Sequence, residues 1–442
     1  MNRPFVLRAV AAGVAAMIGG ASFAQEAGGA PPEPIVLKAA RLFDSTTGAL
    51  RSNGVVVVQG DKITGVGTTA TLPANAHVID LGDATLIAGF IDSHTHLTDE
   101  FTENYYFGVY RKLMRFPAEK AFYAQRNAQK TLEAGFTTVR NVGADDHVDV
   151  GLRNAINANV TTGPRILTAV YSIGSTGGHC DQAPWPPEHK PALSPVEGVC
   201  NGPEQCREAV RQQMKFGADV IKICSSGGVL SEADPVDVPQ LTPAELSAII
   251  GEAHAWKRKV AAHAHGDLAA RLAIDAGIDS IEHGTFLTEA TLKLMKQKGT
   301  YLVPTRLAVF WVNKQADTYP PQIGAKARAA WAAHGTMFKN ALKIGVPIAF
   351  GTDAGVYPHG MNAMEFGLMT ELGMSPTAAL LSGTREAAKL LGVDAEVGTL
   401  EVGKFADVVA VPGDVLANIK STEHPVFVMR HGQVIVPKTG AR

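Results

Sequence analysis

Apolar and polar positions along this chain follow two different rhythms. Residues 35–88 alternate short apolar runs with turn residues, as in PIVLKAARLFD, NGVVVVQGDKITGVG and HVIDLGDATLIAG. That is the pattern of short strands joined by hairpins, with Asn53-Gly54 and Gly60-Asp61 read as turns. Residues 395–442 return to this style in GTLEVGKFADVVAVPG and PVFVMRHGQVIV. Together the two segments predict a small β-sandwich assembled from both ends of the chain. Between them, residues 89–394 repeat an apolar strand-like run followed by an amphipathic helical stretch. LIAGFIDSHTHL leads to PAEKAFYAQRNAQKTLEAG, FTTVRNVG to a helix ending near Asn159, and RILTAVYSI to PEQCREAVRQQMKFGA. DVIKICSSGG leads to TPAELSAIIGEAHAWKRK, opened by a capping box (Thr242-Pro243-Ala244-Glu245) with proline at the first helical position. VAAHAHG, DSIEHG, YLVPT and PIAFGTDAG complete eight strand–helix units. Eight such units favour a (β/α)8 barrel over an open doubly wound sheet. No Gly-rich phosphate loop appears at the first turn to support the open sheet.

With 442 residues, 46% of them hydrophobic, the chain can bury one large core and a smaller one. A net charge of −2 and the lack of a basic cluster point away from nucleic acid and anionic membranes. Residues 1–24 carry Arg3 and Arg8, an Ala/Gly-rich apolar stretch, and Ser22-Phe23-Ala24. They read as a secretory signal peptide cleaved after Ala24, with export to a periplasm and no membrane span in the mature chain. Residues 25–34 read as a flexible leader. The four cysteines are too few for a disulfide scaffold. Cys200 and Cys206 flank the short turn CNGPEQC and are candidates for pairing, whereas Cys224 reads as a buried apolar thiol.

Six residues of metal-ligating type stand at the ends of these apolar runs: His94, His96, Lys222, His263, His283 and Asp353. In a barrel, strand ends converge on one mouth, so ligands far apart in sequence meet there. His94 and His96, two apart, share one face of a strand. Imidazole and carboxylate are ordinary ligands for zinc and similar ions. An ammonium is not, but a lysine between apolar strands loses solvation, and its pKa falls. The neutral amine can then take up carbon dioxide as a carbamate that bridges two cations. The set predicts a binuclear metallohydrolase holding two divalent ions, zinc by expectation, with Asp353 as ligand and proton shuttle.

The motifs GFIDSHTHL, GFTTVRNVG, STGGHCD, DVIKICSSGG, HAHG, SIEHGTFL, FGTDAG, TREAAKLLG and GTLEVGKFADVVAV carry a resemblance. The chain resembles the amidohydrolase superfamily, in the branch of imidazolonepropionase-like enzymes, Xaa-Pro dipeptidases and ochratoxinase. The resemblance covers essentially the whole mature chain. It implies a (β/α)8 barrel, a carboxylated Lys222, and a homo-oligomer of up to eight subunits. It also implies one metal on His94, His96 and Asp353, a second on His263 and His283, and Lys222 bridging them. Two departures stand out. Arg140-Asn141 replaces the usual arginine–aspartate pair, and His263-Ala264-His265 replaces the His-Ala-Tyr of many dipeptidase-like relatives.

His265 shares a face with His263 and is read as an electrophile for the tetrahedral oxyanion or as a structural histidine. Arg271 resembles an arginine that holds a substrate α-carboxylate, and His179 in STGGHCD is a second candidate for that pocket. Tyr357 and His359 are candidates for its lining, and the Pro-rich DQAPWPPEHKPALSP with Trp185 for a lid or oligomer contact. The expected reaction is hydrolysis of an amide, releasing a C-terminal amino acid from dipeptides or N-acyl amino acids, ochratoxin-type aryl amides among them. The alternatives are a cyclic amide or lactone substrate, and a non-catalytic scaffold, which should lack one of the six ligands.

Overall fold

In chain order the strands of the computed structural model are β1 (Ile35–Asp44), β2 (Ala49–Gln59), β3 (Lys62–Val66), β4 (His77–Asp80), β5 (Ala84–Ala88), β6 (Phe90–Thr95), β7 (Phe136–Asn141), β8 (Arg165–Thr168), β9 (Val220–Cys224), β10 (Lys259–Ala264), β11 (Ser280–His283), β12 (Tyr301–Val303), β13 (Val408–Pro412), β14 (Phe427–Arg430) and β15 (Gln433–Val436). Residues 32–67, 70–181, 192–232 and 234–437 are described. The expected signal peptide, most of the leader and most of the insertion around Trp185 lie outside them. Among the described residues, no helix is long and apolar enough to cross a membrane.

The chain has an α/β fold. Both ends contribute to one eight-stranded sheet in the order β15-β14-β13-β5-β1-β2-β3, with β4 paired to β1. β1 divides its free edge: Ile35–Lys38 pair with β4, and Arg41-Leu42 pair with β5. A separate apolar cluster of Leu37, Leu42, Val56, Ile63, Leu86, Val408 and Phe427 fills this region. Gly60-Asp61 does form the turn between β2 and β3, but Asn53-Gly54 lies inside β2. There Asn53 takes φ +56°, and a Cβ on Gly54 would come within 2.5 Å of the Arg41 carbonyl oxygen. The pair is spent on a close strand crossing, not on a hairpin.

β6, β7 and β8 pair in parallel, and β9 to β12 form a second parallel set in sequence order. Further bonds link the sets. Ile173 N–H donates to Lys222 O (2.8 Å), and Cys224 N–H to Ile173 O (2.8 Å). Ala349 N–H donates to Leu302 O (3.0 Å), and Ser93 N–H to Phe350 O (2.9 Å). These strands are buried on both faces, which explains why they read as unbroken apolar runs. Helices Pro117–Glu133, Val148–Asn157, Pro203–Lys215 and Pro243–Ala255 follow β6, β7, β8 and β9 as expected. The expected capping box is present: Thr242 Oγ1 accepts from Glu245 N–H, and the Glu245 carboxylate accepts from Thr242 N–H.

Two disulfides are present. Cys200–Cys206 pairs as the spacing suggested, but Cys224 is bonded to Cys180 and is not the free apolar thiol expected. The two cysteines are 44 positions apart, with the helix Pro203–Lys215 and most of β9 between them, so no local pattern signals the bond.

Asp92 ties β6 to the segment after residue 347. Its Oδ1 accepts from His94 N–H (3.0 Å) and Thr352 N–H (3.1 Å), its Oδ2 from Thr352 Oγ1–H (2.6 Å) and Asn362 Nδ2–H (2.8 Å). Asp92→Ala strands these buried donors and is expected to cost about 3 kcal/mol or more. Urea unfolding that shows the two proteins equally stable would show that Asp92 does not anchor this junction.

Candidate active site

Every strand-end residue singled out above meets at one opening. His94, His96, His179, Lys222, His263, His265, His283 and Asp353 all line a cavity of about 910 Å³. β6 supplies His94, with His96 just beyond it; β9 supplies Lys222, β10 His263 and β11 His283. Asp353 lies beyond the run that pairs with β12 and β6. Two sets of donor atoms each lie within 4.8 Å of one another: His263, His265 and His283, and His94, His283 and Asp353. His94 Nε2 and His96 Nε2 each stand 3.4 Å from Asp353 Oδ1.

Hydrogen bonds on the far side of each ring fix its tautomer. His94 Nδ1 meets Glu282 Oε2 (2.7 Å), His96 Nδ1 the Gly143 carbonyl (3.3 Å), and His283 Nδ1 the Thr305 hydroxyl (2.7 Å). Nε2 is thereby left as a lone-pair donor on each. His263 reverses the choice, with Nε2 on the Gly227 carbonyl at 3.1 Å. Burial pushes His263 and His283 well below the usual histidine pKa, His265 to about 3, and His96 below its ordinary value. For Asp353, burial alone would raise the pKa, but His94, His96 and Lys222 outweigh it and hold the group ionised. Neutral imidazoles around a carboxylate are a donor set suited to divalent cations.

Lys222 is 3% exposed, and burial lowers its amine to about 8 against the pull of Glu282 and Asp353. Among the described residues no hydrogen bond or ion pair engages that amine. A long cation of this kind is almost never buried unpaired.

Two residues behind the site, Arg140 and Glu282, were given no role in the sequence reading. Arg140, 1% exposed, donates from Nη2 to Glu282 Oε1 (2.8 Å) and from Nε to Ser93 O (2.5 Å). Burial pushes the Glu282 carboxyl up, but Arg140 and His94 more than reverse this, to about 2. Glu282 is therefore an anion fixed behind His94. The signal was present: an arginine inside FTTVRNVG and a glutamate inside DSIEHG each interrupt a buried strand. Asn141 has an identifiable task, accepting from Leu97 N–H (2.7 Å) and donating to the Gly143 carbonyl (3.2 Å). It shapes the turn beside His96.

The substrate-side candidates divide. His179 stacks on His263 with ring centroids 4.2 Å apart, and its Nδ1 meets the Ser231 hydroxyl at 2.5 Å. Arg271 is exposed on the helix Asp267–Asp275 and does not line the cavity. Its place one turn into that helix turns the side chain outward. Tyr357 is fully buried behind the site, against Leu307 and Ala354, and His359 Nε2 donates to the Asp99 carbonyl (2.9 Å); neither lines the cavity. The opposite wall is aliphatic, formed by Val229, Leu230, Val309, Val312, Ala327 and Ala330.

Comparison with known proteins agrees with this geometry. The profile of the amidohydrolase family matches residues 85–436. The chain is 30% identical over 395 residues to ochratoxinase of Aspergillus niger, covering 84% of this chain and 80% of that protein. It is 27% identical over 366 residues to imidazolonepropionase of Cutibacterium acnes, covering 81% and 84%. A crystal structure of a Xaa-Pro dipeptidase with methionine bound in its active site superposes with a TM-score of 0.85 at 37% identity, covering 91% of this chain and 99% of that one. The chain therefore belongs to the amidohydrolase family and is a hydrolase of carbon–nitrogen bonds.

Proposed function

We propose that the protein is a binuclear metal-dependent amidohydrolase that releases a C-terminal amino acid from dipeptides or N-acyl amino acids. The observation that carries this reading is the buried Lys222 amine, without a hydrogen-bond or ion-pair partner among the described residues, set among imidazoles and Asp353. The fold that supports it is read as a (β/α)8 barrel, with the terminal sheet as a small second domain. The links from Ile173 to β9 and from residues 347–354 to β12 and β6 are what a closed barrel requires.

One divalent cation, zinc by donor type, would be held by His94, His96 and Asp353, and a second by His263 and His283. Such a pair lowers the pKa of a water and polarises the scissile carbonyl. Lys222 contributes as its carbamate. The neutral amine forms a C–N bond to carbon dioxide and loses one proton, which supplies the negative charge the cations require. Asp353, held ionised, accepts the proton of the attacking water and delivers it to the leaving nitrogen. His265 Nδ1 meets the Thr285 hydroxyl (2.7 Å), and the tautomer in which that hydroxyl donates leaves Nε2–H to donate to the developing oxyanion. His179 and the aliphatic wall then divide recognition between the substrate carboxylate and an apolar acyl group. Ochratoxinase and the methionine-bound dipeptidase among the relatives support that substrate class. Two disulfides suit export to an oxidising periplasm. The exposed Tyr106, Phe107, Tyr110, Met114 and Phe116 support a homo-oligomer.

Lys222→Ala is expected to lose bound metal and nearly all activity, with part of the activity restored by a short carboxylic acid and bicarbonate. Full activity at full metal content in that variant would remove the binuclear reading.

Asp353→Asn is expected to collapse kcat more than it raises KM, since the shuttle acts in turnover. An unchanged kcat would leave Asp353 without that role.

Amidating the substrate carboxylate is expected to lower kcat/KM by about two orders of magnitude, because a buried recognition site is left unpaired. Equal cleavage of N-benzoyl-phenylalanine and its amide would favour a cyclic amide, the reading that the imidazolonepropionase relative supports.

A further inference from the structure

We infer that the Cys180–Cys224 disulfide is a positioning element for substrate recognition, holding His179 over the donor cluster. The inference rests on the carboxylate-recognition reading above. Cys180 follows His179 directly, and Cys224 ends β9 two residues beyond Lys222. Both cysteines line the cavity beside the residues that would carry the chemistry.

Among the described residues, the segment bearing His179 has little else to hold it to a strand. It leaves the sheet region at Gly174, which bonds to the loop residues Gly198 and Cys200 (3.0 and 2.9 Å). Thr176 bonds to Asn201, also outside any strand. His179 N–H donates to the Gln240 side chain (2.8 Å), and its ring meets Ser231, again on loops. Cys224 is different. Its N–H donates to Ile173 O (2.8 Å), and it stands in register with His263 on β10. The disulfide thus joins a loop to the strand that carries Lys222. Space is tight on the other side as well, because a Cβ on Gly228 would fall 2.2 Å from the His179 ring. A ring stacked 4.2 Å from His263 in so close a slot misses its position if the loop shifts by one ångström.

The Cys180→Ala/Cys224→Ala double variant removes the bond without leaving a thiol beside the metal ligands. With N-benzoyl-phenylalanine as probe, its KM is expected to rise about tenfold or more while kcat stays within about threefold and zinc content is unchanged. Hydrogen exchange of residues 174–181 should increase, and that of β9 should not. His179→Ala should raise KM similarly, and adding it to the double variant should raise KM little further, because both changes remove one interaction. The Cys200→Ala/Cys206→Ala variant should keep the native KM. An unchanged KM, or KM increases that multiply in full, would overturn the proposal. If the native enzyme does not cleave the probe, the functional reading fails separately, and the exchange measurement decides: no increase in 174–181 would overturn the positioning role.

Discussion

Among the described residues no anion touches the buried Lys222 amine, while a neighbouring carboxylate, Glu282, is taken up by Arg140 and His94. That allocation sets the character of the whole site. Had Glu282 faced Lys222, the two would have closed as an ordinary buried ion pair and the amine would have stayed an ammonium. With Glu282 committed elsewhere, burial drives Lys222 toward its neutral form and likewise keeps the surrounding imidazoles neutral. The donor cluster is thus left with the imidazole lone pairs and the Asp353 carboxylate, while the Glu282 anion behind it is balanced by Arg140. Positive charge is what such a place lacks.

Backbone geometry at the same strand ends is correspondingly unusual. Val170, His283, Thr305 and Asp353 all take left-handed φ values, from +48° to +68°. Each such conformation costs a non-glycine residue about 1 kcal/mol or more. Neighbouring bonds offset it: Asp353 N–H donates to His94 O (2.8 Å), and the Thr305 hydroxyl meets His283 Nδ1. At His283 and Asp353 the bend falls on residues of the donor cluster itself. β-Branched residues at two of the positions show that local preference was overruled by the site.

How much of this was legible depends on the range over which each signal acts. Strand–helix alternation and the capping box at Thr242 are local, and they read correctly. The six ligand-type residues do stand together at one cavity, because they lie at or just beyond the ends of buried strands and such ends converge. Asn53-Gly54 misled because the same dipeptide serves a turn or a close strand crossing, and only the neighbouring Arg41 decides. The Cys180–Cys224 bond depends on where two loops and a strand meet, which no period in the sequence encodes. Arg271 failed for a related reason. A helical position fixes the direction of a side chain only once the orientation of the helix against the sheet is known. Arg140 and Glu282 were readable in principle, as charges inside apolar runs, but their meaning lies in each other.

In the proposed reading, chemistry and recognition occupy different parts of the architecture. The donor atoms stand on strands packed into the main core, where hydrogen bonds hold each ring. The surfaces proposed for recognition stand on loops and helices: His179 on a loop, Val309 and Val312 on one helix, Ala327 and Ala330 on the next. Small side chains on that wall leave room in a cavity of about 910 Å³, more than the reacting amide alone would need. Loops can change without disturbing a strand, so one hydrolytic centre can serve many acyl groups. A loop is also the less exact support, and a recognition group that must sit within an ångström needs fastening to something rigid. Among the described residues the covalent link between these two parts, at the cavity itself, is Cys180–Cys224, and it runs from the recognition loop to the strand of Lys222.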